Sequence, residues 1–130
     1  MTLPRSLQIN EPSIDAQHER LLELLQQSAR FSGSRLNSEP VVDHLSQLTQ
    51  LICLHFDFEE AVMREVGVPQ AELERHIAEH GRIVAELSAI HLETMGGSHR
   101  VLGDISEQVR DWVGQHMKSF DLSLRPYFTD

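Results

Sequence analysis

Cys53 is the chain's only thiol, so no internal disulfide can form and neither a zinc-thiolate nor an iron–sulfur site can be assembled from it. It reads as a small buried hydrophobe. Long apolar runs are missing too: none approaches the roughly 20 residues that cross a bilayer, and no membrane association is expected. Residues 1–10 include Pro4 and Arg5 but neither the apolar stretch nor the small-residue cleavage site of a secretory signal. The expectation is a soluble, cytoplasmic protein. Basic residues are the scarce charge: 11 Lys and Arg against 20 Asp and Glu leave a net charge of -9. With no basic cluster, electrostatics oppose binding to nucleic acid or to an anionic lipid surface. A chain of 130 residues has room for one real core but not for a second ordinary domain. One domain, 1–130, with a short N-terminal arm over residues 1–12 is expected.

Histidine is what the chain has in excess, eight against a single Trp and a single Tyr, and where the histidines fall depends on the helical pattern. Breakers at Gly33, at Gly67 with Pro69, at Gly96 with Gly97, and at Pro126 mark off four stretches, 13–31, 38–66, 69–95 and 98–120. Ser13 or Asp15 is placed to cap the first, Ser38 ahead of Glu39 and Pro40 opens the second, and Ser98 opens the fourth. In the second, Val41, Leu45, Leu48, Ile52, His55, Glu59, Val62 and Val66 recur at alternating steps of four and three, which is one helical face. The third repeats the rhythm with Leu73, His76, His80, Ile83, Leu87 and Ile90. The fourth does so with Leu102, Ile105, Val109, Trp112, His116 and Phe120, and the first contributes Ile14, His18, Leu21 and Leu25. Four amphipathic helices with short loops predict an all-α, antiparallel up-down-up-down four-helix bundle.

All four seams are interrupted by metal-competent side chains: His18, then His55 with Glu59, then His76 with His80, then His116. An unpartnered buried polar group costs about 1–3 kcal/mol, so six of them would strain a domain stable by only about 5–15 kcal/mol. A metal satisfies them together, because imidazoles and carboxylates are ligands for iron, zinc or manganese and an i, i+4 pair presents both donors on one helical face. In an antiparallel bundle the four sets meet at one end. Asp121 follows His116 by five residues, about 140° around a regular helix, and spacing alone leaves it either a ligand or a surface acid. His44, His91 and His99 fall off the seams and read as solvent-facing. Glu19, Glu72, Glu74 and Asp111 read as a solvated acidic face.

The segments IDAQH around His18, HFDFEEAVM around His55, HIAEH around His76 and WVGQHMKSFD around His116 together resemble the hemerythrins, in particular the bacterial single-domain ones. The resemblance runs over about 14–128 in the right order. It implies two non-haem irons joined by an oxo or hydroxo bridge, with His76, His80 and His116 on one and His18 and His55 on the other. Glu59 and Asp121 would bridge both, and one position on the two-histidine iron would stay open for dioxygen. It also implies an apolar pocket there, for which Phe56, Trp112, Val113 and Met117 are the candidates. Family members often carry aromatics where Val68 and Ile83 stand here. Di-iron oxygenases and ferritins surround their metals with more carboxylates, whereas five histidines with two carboxylates suit a ferrous pair that binds dioxygen reversibly. Storage, delivery or scavenging of dioxygen, without enzymatic turnover, is the expected role. Two alternatives stay open: sensing of oxygen, redox state or nitric oxide through a separate protein partner, and reduction of peroxide or nitric oxide.

Overall fold

A computed structural model describes residues 5–96 and 100–128. Four helices, α1 (Pro12–Gln27), α2 (Glu39–Val66), α3 (Gln70–Met95) and α4 (Gly103–Ser119), form an all-α four-helix bundle, supplemented by tight 3-10 segments at Arg5–Leu7, Ser28–Phe31 and Asp121–Tyr127. No helix among the described residues is long and apolar enough to cross a membrane.

The core is two apolar clusters with a polar layer between them. The larger draws on Leu21, Leu25, Leu45, Ile52, Ile83, Leu87, Val109, Val113 and Met117. The smaller gathers Ile9, Ile14, Met63, Val68, Leu73 and Leu124. Helices α1, α2 and α3 each contribute to both clusters, while α4 joins the larger and Leu124, in the 3-10 segment after it, the smaller; the six interrupting polar residues fall near the passage from one to the other. On α1, for example, His18 lies between Ile14 and Leu21. The smaller cluster closes this end of the bundle by recruiting residues outside the helices. Ile9 is wholly buried, and the Arg125 guanidinium donates to the carbonyl of Gln8 at 2.8 Å. Within the described part of the arm, Ile9 is thus packed into the bundle.

Local chemistry differs from the sequence reading in four places. Glu11, not Ser13 or Asp15, caps α1 by accepting from the Ile14 amide at 2.6 Å. Asp15 turns backward instead, taking the amides of Ile9 at 2.9 Å and Asn10 at 3.2 Å and fixing the arm. Ser38 precedes α2 as expected but donates its hydroxyl to the Arg35 carbonyl. The fourth helix starts at Gly103, because the stretch before it is used to pair with the α1–α2 connection. The Leu36 amide donates to the Arg100 carbonyl at 3.0 Å, and the Leu102 and Gly103 amides donate to Ser34 and Ser32 at 2.9 and 2.8 Å. A Cβ at Gly103 would stand 2.9 Å from the Ser32 carbonyl, which explains the glycine. Ser98 and His99 lie outside the described residues.

Two seams drift at their ends. On α2 the buried residue of the last turns is Met63, with Val62 and Val66 half-buried. On α4, Val113 and Met117 are buried while Trp112 and Phe120 are half-buried. Cys53 is half-buried too, not fully inside. His44, read above as solvent-facing, is buried: its Nε2 lies 2.7 Å from the Ser28 hydroxyl and its ring 5.5 Å from that of Phe31, where the 3-10 turn after α1 folds over it. Burial pushes its pKa down. His91 is half-buried and pairs with Thr49 at 2.9 Å.

Candidate metal centre

Helix α1 supplies His18 from its second turn, α2 supplies His55 and Glu59 from its later part, α3 supplies His76 and His80 from its first turns, and α4 supplies His116 from its last. Each pair on one helix is four residues apart, so both members face inward one turn from each other. Asp121 arrives by a different route. Helix α4 ends at Ser119, and the chain winds on as a 3-10 segment that starts at Asp121 itself, which turns the carboxylate inward where a continued α-helix would carry it aside. All seven side chains meet, none more than 3% exposed.

Their inner atoms fall into two groups. Nitrogens of His18 and His55 lie together with oxygens of Glu59 and Asp121, and nitrogens of His80 and His116 lie together with the same two carboxylates. Glu59 reaches His55 and His80 at 3.2 Å each, His116 at 3.6 Å and His18 at 3.8 Å. Asp121 reaches His18 at 2.9 Å and His116 at 3.0 Å, with His55 and His76 at 3.9 Å. His76 stands slightly outside the second group, its Nε2 without a hydrogen bond.

These short distances do not satisfy the atoms. Glu59 Oε2 and both Asp121 oxygens are buried with no hydrogen-bond partner among the described residues, and pairs of Nε2 atoms face each other at 3.1 Å, His18 with His55 and His80 with His116. Several buried acceptors converging on one space leave a deficit of positive charge there. Cations of the kind that imidazole and carboxylate ligate fit that deficit.

Protons respond to the same deficit. Burial alone would lower the His18 pKa, but contacts with Asp121 and Glu59 and the charges of both outweigh it and raise the value to about 9. The same balance takes His116 to about 10 and raises His55. Burial would push Glu59 up, yet His116, His18, His55 and His80 hold it well below the usual carboxylate value. For Asp121, burial and the Glu59 charge are likewise outweighed by His116, His18 and His55. His76 is lowered, chiefly by burial.

A pH dependence follows for the metal-free protein. Histidines with raised values contribute stability that is complete below the ordinary imidazole value of 6.5 and is lost as the pH climbs through about 9 and about 10. The two carboxylates contribute stability that is complete above their ordinary values of 4.5 and 3.8 and is lost as the pH falls through their lowered ones. Denaturation of metal-free protein across pH should therefore show a maximum between the carboxylate and imidazole values and a decline toward alkali. Cation binding displaces those protons, so loading at neutral pH should release acid into a weakly buffered solution and abolish the alkaline decline. Unchanged stability between neutral and alkaline pH without metal would contradict this electrostatic account.

Behind the ring nitrogens lie partners that the motif spacing did not single out. The Nδ1 of His55 is 2.7 Å from the Gln17 side-chain amide oxygen, that of His80 is 2.7 Å from Glu60, and that of His76 is 2.8 Å from the Met63 sulfur. Gln17 and Glu60 adjoin His18 and Glu59 in sequence, so adjacency was the available signal. Phe120 lies over His76 and His116, at ring separations of 5.3 and 5.5 Å.

On one side the donors open onto a small cavity of about 10 Å³, counted as space for the centre of a water-sized molecule, which is roughly enough for a single small guest. Leu21, Ile52, Phe56, Ile83, Val113 and Met117 form its apolar wall, and His18, His55, His116 and Asp121 its polar end. Three of the four expected pocket residues are there. Trp112 is elsewhere: it lines an open groove between α3 and α4 with Glu86, Ile90 and Arg100. Of the two positions where aromatics were expected and absent, Ile83 lines the cavity and Val68 packs in the smaller cluster.

Comparison with known proteins agrees with this architecture. The family model described as "Hemerythrin HHE cation binding domain" matches residues 12–128. The chain is 23% identical over 124 residues to a protein named bacteriohemerythrin from Campylobacter jejuni, covering 95% of this chain and 92% of that one. A bacteriohemerythrin from Methylococcus capsulatus is 26% identical over 112 residues, 86% of this chain and 83% of the relative. One from Stenotrophomonas maltophilia is 28% identical over 121 residues, 88% and 72% of the two chains. No solved structure matches significantly. With the family model covering nearly the whole length and a buried set of donors suited to cations at its centre, the chain belongs to the hemerythrin HHE cation-binding family.

Proposed function

We propose that the chain binds dioxygen reversibly at a pair of non-haem irons, as a soluble cytoplasmic store, carrier or scavenger rather than as an enzyme. In this reading His18 and His55 would hold one iron, His76, His80 and His116 would hold the other, and Glu59 and Asp121 would serve both. The observation that carries it is that two separate groups of imidazoles lie within reach of the same two carboxylates. A single-metal site would need only one such group. The choice of iron and of dioxygen follows the resemblance to the hemerythrins, which the bacteriohemerythrin names of the relatives support.

The iron pair, when bound, supplies the electrons that hold dioxygen. The chain's own side chains do the rest. Five neutral imidazoles against two carboxylates keep the donor set less anionic than in carboxylate-rich di-iron enzymes. Leu21, Ile52, Phe56, Ile83, Val113 and Met117 limit the guest to a small molecule and keep water from following it.

The test is metal analysis together with an optical spectrum of iron-loaded protein, reduced and then exposed to air. We expect two irons per chain and a visible band that forms in air and disappears when oxygen is removed. One iron per chain, or a band that never reverses, would refute the proposal. Rapid consumption of added peroxide would move the assignment to an enzyme.

A further inference from the structure

The outer nitrogens of the five imidazoles are treated unequally. His18 and His116 have no Nδ1 partner among the described residues, His76 has a thioether and His55 an amide oxygen. His80 alone has an anion, Glu60 Oε2 at 2.7 Å. We propose that Glu60 is a positioning residue for the metal pair: it locks His80 with its lone pair pointing inward and makes it the strongest imidazole donor of the set. This rests on the di-metal reading above.

A carboxylate can only accept, and once a cation takes the Nε2 lone pair the proton of the neutral His80 ring sits on Nδ1, against Glu60. That Nε2 is the atom lying 3.2 Å from Glu59 and 3.1 Å from His116, inside the donor group. The ring cannot rotate away, because Phe56 lies flat against it with centroids 3.9 Å apart and planes 4° from parallel. Phe56 and Glu60 are one turn apart on α2, so one helical face grips the ring from α3 by its flat side and by its edge. The contact is also sheltered: the Glu60 side chain is 18% exposed and that of His80 3%. An anion hydrogen-bonded to the outer nitrogen of a ligating histidine fixes its ring orientation and strengthens it as a ligand, and here only the His80 side of the site has one. Metals held here would be served unequally, the better-positioned donor being on the side away from His18 and His55.

Three forms of the protein separate positioning from charge. Glu60→Gln keeps an acceptor for the Nδ1 proton but removes the charge, Glu60→Ala removes both, and Glu65→Gln alters an exposed acid on the same helix as a control. In zinc-loaded protein, which gives no paramagnetic broadening, NMR should show a His80 Nδ1 proton that exchanges slowly with water in wild type and Glu60→Gln and quickly in Glu60→Ala. Iron affinity should fall about 10–100-fold in Glu60→Ala and by less in Glu60→Gln, which keeps the acceptor. The midpoint potential of the iron pair should rise in Glu60→Gln and not in Glu65→Gln, a shift that a merely structural contact would not produce. If wild type loads two irons and Glu60→Ala binds them as tightly, or Glu60→Gln leaves the potential unmoved, the role of Glu60 is overturned while the di-iron reading survives. Failure of wild type to load two metals would overturn both.

Discussion

On the proposed di-iron reading, replacing Glu59 by alanine is expected to empty the site of both irons while leaving the helices in place. Glu59 is wholly buried and lies within 3.2–3.8 Å of four imidazoles from four helices, so its loss subtracts a donor from each metal at once. Asp121 would then be the one carboxylate left to serve both dications in a buried space, which the site cannot sustain. Metal analysis should give well under one iron per chain. Removing one member of a buried ionic group costs about 3–5 kcal/mol, and the lower end applies to the metal-free fold because Asp121 still stands 2.9 Å from His18 and 3.0 Å from His116. The apolar clusters on either side of the layer remain intact, so circular dichroism should retain its helical signal. A Glu59→Ala protein that keeps two irons and its air-induced band would show that this carboxylate spans nothing.

Much of this centre is legible in the sequence, for a physical reason that applies to His18, His55, Glu59, His76, His80 and His116 alike. Each stands at a seam position where period 3.6 predicts an apolar residue, and polar groups in a core announce a shared partner. Asp121 was not legible from spacing, because its orientation depends on where α4 stops. That end is set by the transition to a 3-10 segment, and only the resemblance to a family pointed to it. Glu60 and Gln17 were missed because each sits one position beside the seam, where helical periodicity predicts solvent. There they meet the back of a ring from another helix. His44 was misread for a related reason. Its cover, Ser28 and Phe31, comes from the turn after α1, which the periodicity of α2 does not report. Backbone pairing between Leu36 and Arg100 and between Ser34 and Leu102 likewise has no side-chain signature, and it moved the start of α4.

Oxygen-complex lifetime should depend on the cavity wall and not on core packing in general, and Met117→Ala tests the difference. Met117 is 1% exposed and lines the cavity beside His18, His55 and His116. Truncating it enlarges a space whose one end is already polar, and a larger space with polar partners admits water. Water and small anions would then displace the bound ligand sooner, and autoxidation should accelerate about tenfold, equivalent to ~1.4 kcal/mol less protection, with iron content unchanged. Loss of core volume should also cost about 2–5 kcal/mol of stability, so a matched control is needed. Leu87 is equally buried in the larger cluster but touches no part of the cavity. Leu87→Ala should destabilise by a similar amount and leave autoxidation near the wild-type rate. Trp112→Phe, in the open groove between α3 and α4, should do neither to a comparable degree. The rates come from decay of the visible band in air, and the stabilities from urea denaturation of the same preparations. If Leu87→Ala hastens autoxidation as much as Met117→Ala does, bundle rigidity protects the complex and the cavity wall has no special part in it. A large effect of Trp112→Phe would instead mean that ligand or water reaches the irons from the α3–α4 side, past a residue that the cavity does not include.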